Sequence, residues 1–186
     1  MATKPKESLT YSEPIATGEV TIGTAPEAVY RLVSDPVAMA ECTEELRKAR
    51  WIRGATEARV GNWFAGSNRN GRRRWVTHAE IIEAEPGRRF AYRVRTPFFV
   101  PISRWEYDIT PDGVGSRLTV TNWLRVPPWF VPIAILITGE PDRAGTNRAN
   151  IATTLQRVKA RLEGREWRRE GRWQAEEVSR KPLSRR

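Results

Sequence analysis

Between residues 19 and 126 the chain repeatedly alternates apolar and polar side chains over short runs, the two-residue period of a half-buried strand. Residues 19–23 form the first run, and residues 47–53, 61–68, 72–84, 88–95, 104–110 and 117–126 form six more. Turn chemistry separates several of them. Asn70-Gly71 is a two-residue hairpin signal, Glu85-Pro86-Gly87 is a second turn, and residues 111–115 (Pro-Asp-Gly-Val-Gly) are a third. The period turns helical in two places. Residues 25–35 put Val29, Leu32 and Val33 on one face, with Thr24 placed as N-cap, Pro26 in the first turn and Pro36 as terminator. A short second helix is expected over residues 37–44. Near the other end, Ala144, Ile151, Leu155, Val158 and Leu162 recur at helical spacing, from a start at Pro141 or Asp142 to a stop at Gly164.

The order is one strand, two short helices, six antiparallel strands and one long helix. A strand meander cannot close its apolar face alone, so the long helix must lie across it. The expected fold is α+β, a helix-grip: a curved antiparallel sheet of about seven strands wrapped on a long C-terminal helix, with two short helices after strand 1. Residues 1–13 read as a flexible N-terminal arm, 14–164 as the folded domain and 165–186 as a basic C-terminal tail.

Alternation also assigns faces. Phe64, Gly66 and Asn68 share a face, as do Trp75, Thr77, Ala79 and Ile81 on the next strand. Phe90, Tyr92 and Val94 follow, then Trp105, Tyr107 and Ile109, then Leu118, Val120, Asn122 and Leu124. The opposite faces carry Arg89, Arg93, Arg95, Glu106, Asp108 and Arg117, so the aromatic set points inward. It makes either a packed core or the wall of a cavity between sheet and helix.

One stretch fits neither period. Residues 127–140 read PPWFVPIAILITGE, and from Trp129 to Ile137 the indole is the one side chain that can hydrogen-bond. A membrane-spanning helix needs roughly 20 apolar residues. This run is too short, is interrupted by Pro132, and lies between Arg125 and Glu140. A short apolar helix or loop over residues 129–138 is expected, broken at Gly139-Glu140-Pro141 and covering a cavity entrance. The contrary outcome is a plug with Phe130, Ile133 and Leu136 buried away from any cavity.

Composition narrows the chemistry. The 186 residues are 39% hydrophobic and 29% charged, with a net charge of +10. One cysteine, Cys42, excludes an internal disulfide, and one histidine, His78, leaves no metal cluster; neither metal nor cofactor is implied. The polar N-terminus lacks a signal-peptide pattern, so a cytoplasmic location is expected. Residues 165–186 hold eight Lys/Arg against four Glu, with Trp167 and Trp173 among them. That tail reads either as a basic-aromatic arm for anionic membrane or nucleic acid, or as a helical extension folded on its own domain.

Catalytic candidates are few. His78 falls on the charged outer face beside Glu80, and Cys42 lies in the short-helix region that could rim a cavity mouth, without a positioned histidine. No inward pair of acids emerges. Asn147 and Arg148 sit near the apolar stripe of the last helix, one turn ahead of Ile151, where they can meet a carboxylate, phosphate or phenolate. Arg72-Arg73-Arg74 follows the Asn-Gly turn, and on a strand three successive arginines alternate faces, which suits a solvated hairpin tip.

The sequence resembles the SRPBCC or START-like superfamily of polyketide cyclases, lipid-transfer domains and pollen-allergen-type carriers. Residues 22–36, from Ile22-Gly23-Thr24 through Ser34-Asp35-Pro36, look like its first strand and helix. Gly54-Ala55, Val60-Gly61, Phe64, Gly66, Asn68-Arg69, Gly71-Arg72, Arg74-Trp75, residues 83–94, Arg104–Tyr107 and Gly115-Ser116-Arg117 resemble a bacterial branch of polyketide cyclase/dehydrase-like proteins. Residues 153–159 look like its closing helix, so the resemblance spans roughly residues 15–164. Many relatives have an acidic residue where this chain has Val120.

The resemblance implies a cavity that binds a small hydrophobic or aromatic molecule of lipid, polyketide or isoprenoid-like kind. The candidate ligand contacts are Phe64, Asn68, Trp75, Tyr92, Trp105 and Tyr107 on the strands, with Asn122, Phe130, Ile133, Asn147, Arg148 and Ile151 beyond them. The alternatives are a polyketide aromatase/cyclase or dehydratase using the same cavity, and a membrane- or nucleic-acid-associated module acting through the basic tail.

Overall fold

The structure, a computed structural model, describes residues 13–164. The basic tail and, Glu13 apart, the N-terminal arm lie outside the described residues. Seven antiparallel strands form one sheet in the order β1-β7-β6-β5-β4-β3-β2. They are β1 (Ala16–Ile22), β2 (Leu46–Ile52), β3 (Trp63–Asn70), β4 (Arg73–Glu85), β5 (Arg89–Arg95), β6 (Pro101–Asp112) and β7 (Gly115–Leu124). Helices α1 (Pro26–Val33) and α2 (Pro36–Met39) link β1 to β2. A 3-10 turn (Pro128–Phe130) leads from β7 into α3 (Val131–Thr138), and α4 (Arg143–Leu162) closes the domain. This is the α+β helix-grip.

The register puts the expected residues on one face: Phe64 opposes Ala79, Asn68 opposes Trp75, Tyr92 opposes Trp105 and Tyr107 opposes Val120. Irregularities in β2, β4 and at the end of β5 break the ladder where the sheet must bend around the helix. The helix lies closest to β1. A Cβ at Gly18 would stand 2.8 Å from Ile151 Cγ2, so the absence of a side chain there lets α4 settle on the strand.

Three local expectations change. Thr24 does not cap α1. Ala25 occupies that position with no side-chain cap, while the Thr24 hydroxyl donates to the Leu162 carbonyl at 3.4 Å, tying the helix entry to the end of α4. Helix α2 stops at Met39, because residues 41 and 42 turn back on the carbonyls three residues earlier and carry Cys42 into the core. The hairpin turn is Gly71-Arg72, since Asn70 still pairs with Arg73. Gly71 supplies the positive φ of 55°, and the Asn70 side chain is engaged elsewhere.

The grip is filled at one end. Ile22, Ile81, Phe90, Ile109 and Leu118 from the sheet meet Val29 and Val33 from α1 and Val158 from α4, all nearly or fully buried. The opposite face of the sheet is ionic. Glu106, itself buried, pairs with Arg89 and Arg104; Arg104 also reaches Glu83 at 2.9 Å, and Asp108 lies 3.2 Å from Arg89. Burial and the neighbouring Glu106 and Glu83 raise the Asp108 carboxyl above its usual range, against the lowering effect of Arg89. His78 is on this outer face.

Candidate functional site: an apolar cavity under a short helix

At the other end the sheet and α4 diverge and enclose a cavity of about 560 Å³. Its floor is aromatic. Phe64 meets Tyr92 edge-on at 5.2 Å, and Tyr92 stacks with Tyr107 at 6.1 Å between centroids. Val120 completes the floor with an apolar side chain. Trp75, Thr77 and Ala79 form one flank, Ser103 and Trp105 another, and Asn147, Ile151 and Thr154 of α4 close the far side.

The polar groups within are neutral and mostly paired with protein. The Trp105 indole donates to Ser103 Oγ at 3.1 Å, and Asn68 Nδ2 donates to Thr77 Oγ1 at 3.0 Å. The Tyr92 and Tyr107 hydroxyls are 3.4 Å apart, so one phenol proton of the two is free for a guest. Burial pushes the Tyr92 phenol well above its ordinary value, with neighbouring Tyr107 adding to the effect, and burial raises Tyr107 too. Part of the Tyr92 ring is exposed to the cavity. Both phenols are therefore neutral donors at physiological pH.

Asn147 donates to Asn122 Oδ1 at 2.7 Å, and Asn122 donates to the Arg104 carbonyl at 3.0 Å. The side-chain oxygens of Asn68 and Asn147 have no donor among the described residues, leaving two acceptors on the wall. Charge is confined to the rim, where Arg143 holds Glu45 through both carboxylate oxygens at 2.8 and 2.9 Å and Arg157 pairs with Glu44.

The roof is α3. Pro127 and Pro128 force an extended entry and then a tight turn, and Pro132 sits in the first helical turn, where its missing N–H costs nothing. Gly139 ends the helix in the left-handed conformation at φ 73°, its N–H returning to the Ile135 carbonyl. Asn70 at the β3–β4 hairpin donates to the Thr138 carbonyl at 3.1 Å, pinning the end of the roof to the sheet. Phe130, Ile133 and Ala134 border the cavity; Leu136 faces outward and is 70% exposed. The stretch is thus a roof and not a buried plug.

Of the residues expected from sequence, Phe64, Asn68, Trp75, Tyr92, Trp105, Tyr107, Phe130, Ile133, Asn147 and Ile151 line this cavity. Asn122 and Arg148 do not. Asn122 is fully buried one layer behind the wall, and Arg148 turns outward to the Ile15 carbonyl at 3.5 Å. Cys42 is a core residue away from the mouth, its thiol raised by burial. Glu45 and Phe98 are wall residues that alternation does not reach, because both lie in loops. The run Pro97-Phe98-Phe99-Val100 was the available signal, since apolar side chains in a loop between two strands require a reason.

No helix among the described residues is long and apolar enough to cross a membrane, and no group of metal-binding side chains occurs among them. A family model described as polyketide cyclase / dehydrase and lipid transport matches residues 14–163. No curated protein matches the sequence significantly. Among solved structures, protein CV1439 from Chromobacterium violaceum is 19% identical with a TM-score of 0.56, over 79% of this chain and 95% of its own. KanY (ms6282) is 15% identical with a TM-score of 0.59, over 80% of this chain and 97% of its own. The di-domain ARO/CYC StfQ of the steffimycin biosynthetic pathway is 16% identical with a TM-score of 0.59, over 80% of this chain and 50% of its own. At these identities the likeness is one of fold.

Proposed function

The chain belongs to the polyketide cyclase/dehydrase and lipid transport family, and from that premise we propose that it holds one neutral, mainly apolar molecule in the cavity beneath α3. The observation that carries this reading is the cavity itself, about 560 Å³ with an aromatic and aliphatic wall and charges at its rim. Such a volume suits a compact multi-ring or folded-chain compound. The free Tyr92/Tyr107 proton and the unpaired Asn68 and Asn147 oxygens suit a ligand with a carbonyl and one or two hydroxyls. A charged group would lose its hydration in this space without a counter-ion, so lipid, polyketide or isoprenoid-like compounds with the charge absent or at the mouth fit best.

A second reading is favoured by one feature, the stacked pair of neutral phenols on the floor. With a folded poly-ketone chain, the phenol proton that their mutual bond leaves free can hydrogen-bond an enolate oxygen. The enolate carbon bonds to a second carbonyl carbon, whose oxygen then leaves as water with the two hydrogens of the attacking carbon, the work of an aromatase/cyclase.

One experiment addresses both. The full-length protein is incubated with a panel of neutral apolar compounds and a poly-ketone, then the small molecules are separated and weighed. Binding is expected for the native protein and lost in Ala79→Phe, which puts a ring into the cavity from β4. Recovery of the ligand unchanged supports a carrier, and recovery lighter by water supports a cyclase. Equal retention by the Ala79→Phe variant contradicts the cavity as the site.

A further inference from the structure

Helix α3 is apolar on every side, yet none of its residues is buried. A helix of that composition ordinarily sits in a core or in lipid. Its inner side borders the cavity. Its outer side, with the turn before it, presents Trp129 at 66% and Leu136 at 70% exposure. Across the same mouth the loop after β5 projects Phe98, 88% exposed. Trp129 and Leu136 stand out from the turn and the helix, and Phe98 borders the opening while leaving most of its surface exposed. Contiguous exposed apolar surface around an opening marks an interaction site.

Unpaired cationic charge lies beside this patch, whereas the nearby Glu140 and Asp142 carboxylates accept from backbone N–H groups and Glu45 is held by Arg143. Arg69, Arg72, Arg73 and Arg74 on the β3–β4 hairpin are all exposed, and none has a carboxylate partner among the described residues. The arginines of the outer sheet face contrast with them, since Arg89, Arg104 and Arg117 are each ion-paired. The hairpin is physically attached to the roof. Asn70 bonds the Thr138 carbonyl, and the Arg73 side chain lies so close to Gly139 that a Cβ there would be 2.8 Å from its Nε. The Arg73 guanidinium therefore flanks the C-terminal end of the apolar helix, and Arg69, Arg72 and Arg74 lie along the same exposed hairpin.

We propose that the cavity mouth docks on an anionic phospholipid bilayer. The 3-10 turn and α3 enter the zone between headgroups and acyl chains, with Trp129 at the interface, while the hairpin arginines meet lipid phosphates. An apolar insertion and a cluster of cations are two separate membrane signals, and together they hold a peripheral protein where either alone is marginal. Guanidinium matches phosphate through paired donors, and an indole favours the headgroup level. An acidic protein would satisfy the arginines but would leave the protruding Phe98 and Leu136 to be covered by some further surface. The proposal concerns the outer surface alone and does not depend on what occupies the cavity.

The test uses the full-length protein and vesicles of phosphatidylcholine with or without phosphatidylglycerol. The protein is expected to sediment with the anionic vesicles and weakly with neutral ones. Sedimentation should fall about tenfold in Trp129→Ala/Leu136→Asp and again in Arg72→Glu/Arg74→Glu. All four side chains are exposed, so these variants should keep the fold, which circular dichroism checks. In unmodified protein, lipids brominated near the headgroup should quench a part of the tryptophan emission that disappears in Trp129→Phe. The proposal is overturned by no vesicle binding, which would leave a protein partner for this face. It is equally overturned by binding that both double variants retain and that instead falls when Arg168, Arg169 and Arg172 of the tail become Gln.

Discussion

Asn122 touches no cavity space, yet it decides where the wall stands. Fully buried on β7, it spends its amide N–H on the Arg104 carbonyl and its oxygen on Asn147, so one side chain locks α4 to β7 and β6. A buried amide left without such partners costs about 1–3 kcal/mol, which keeps this arrangement single-valued. Strand alternation places Asn122 on the inward face but carries no information about depth, and depth separates a ligand contact from the residue behind it. Arg148 shows the same limit on a helix. It neighbours Asn147 in sequence, but a rotation of about 100° per residue sends its side chain to the outside. The tyrosines give a pH dependence. Burial raises both phenols, so their folded values exceed the unfolded value of about 10. Their contribution to stability is therefore complete below about pH 10 and is lost as pH rises through the folded values. Urea midpoints are expected to fall above about pH 10, and less steeply in the Tyr92→Phe/Tyr107→Phe variant. An identical alkaline fall in both proteins would show that the pair is not the source.

Among the elements, α3 depends most on its neighbours. Val131, Ile133, Ile135 and Ile137 are β-branched, which disfavours an isolated helix, and eight residues are too few for one to stand alone. What holds it is the proline-set entry, the Gly139 cap and the Asn70 bond to Thr138. Asn70→Ala should lower global stability by only about 1 kcal/mol. Amide exchange over residues 131–138 should nonetheless quicken several-fold, together with ligand release, because the bond joins roof to sheet and not core to core. Unchanged exchange there would mean that the hairpin does not hold the roof. The proline and glycine punctuation announces a short apolar helix or loop here, and the structure makes it a helix. Sequence does not give the latch, because Asn70 beside Gly71 reads as a turn residue when its side chain in fact reaches 68 positions along the chain. The strands are legible for the opposite reason: period and turn chemistry are local. Their registers are not, since the β3–β4 turn falls one residue later than Asn70-Gly71 and irregularities interrupt β4 and the end of β5. Helix α2 is overextended in the sequence reading because nothing local announces that Cys42 must enter the core.

For the whole molecule, the division into a filled and a hollow end is the feature on which the proposed function rests. Both ends have inward faces of the same period, and the difference lies in their content. Ile81, Phe90, Ile109 and Leu118 pack against α1 at one end, whereas Asn68, Thr77, Ser103 and Asn147 interrupt the apolar surface at the other. Most of these polar side chains are satisfied within the protein, and the Asn68 and Asn147 oxygens are the ones left open to the cavity. Its volume is not readable, because it depends on how far α4 diverges from the sheet beyond the close contact at Gly18. The most direct test is native mass spectrometry of the full-length protein, first as purified and then after exposure to neutral apolar compounds. The expected result is a one-to-one complex heavier by a single small molecule, which dissociates under denaturing conditions. Bare polypeptide mass in both states would contradict the account.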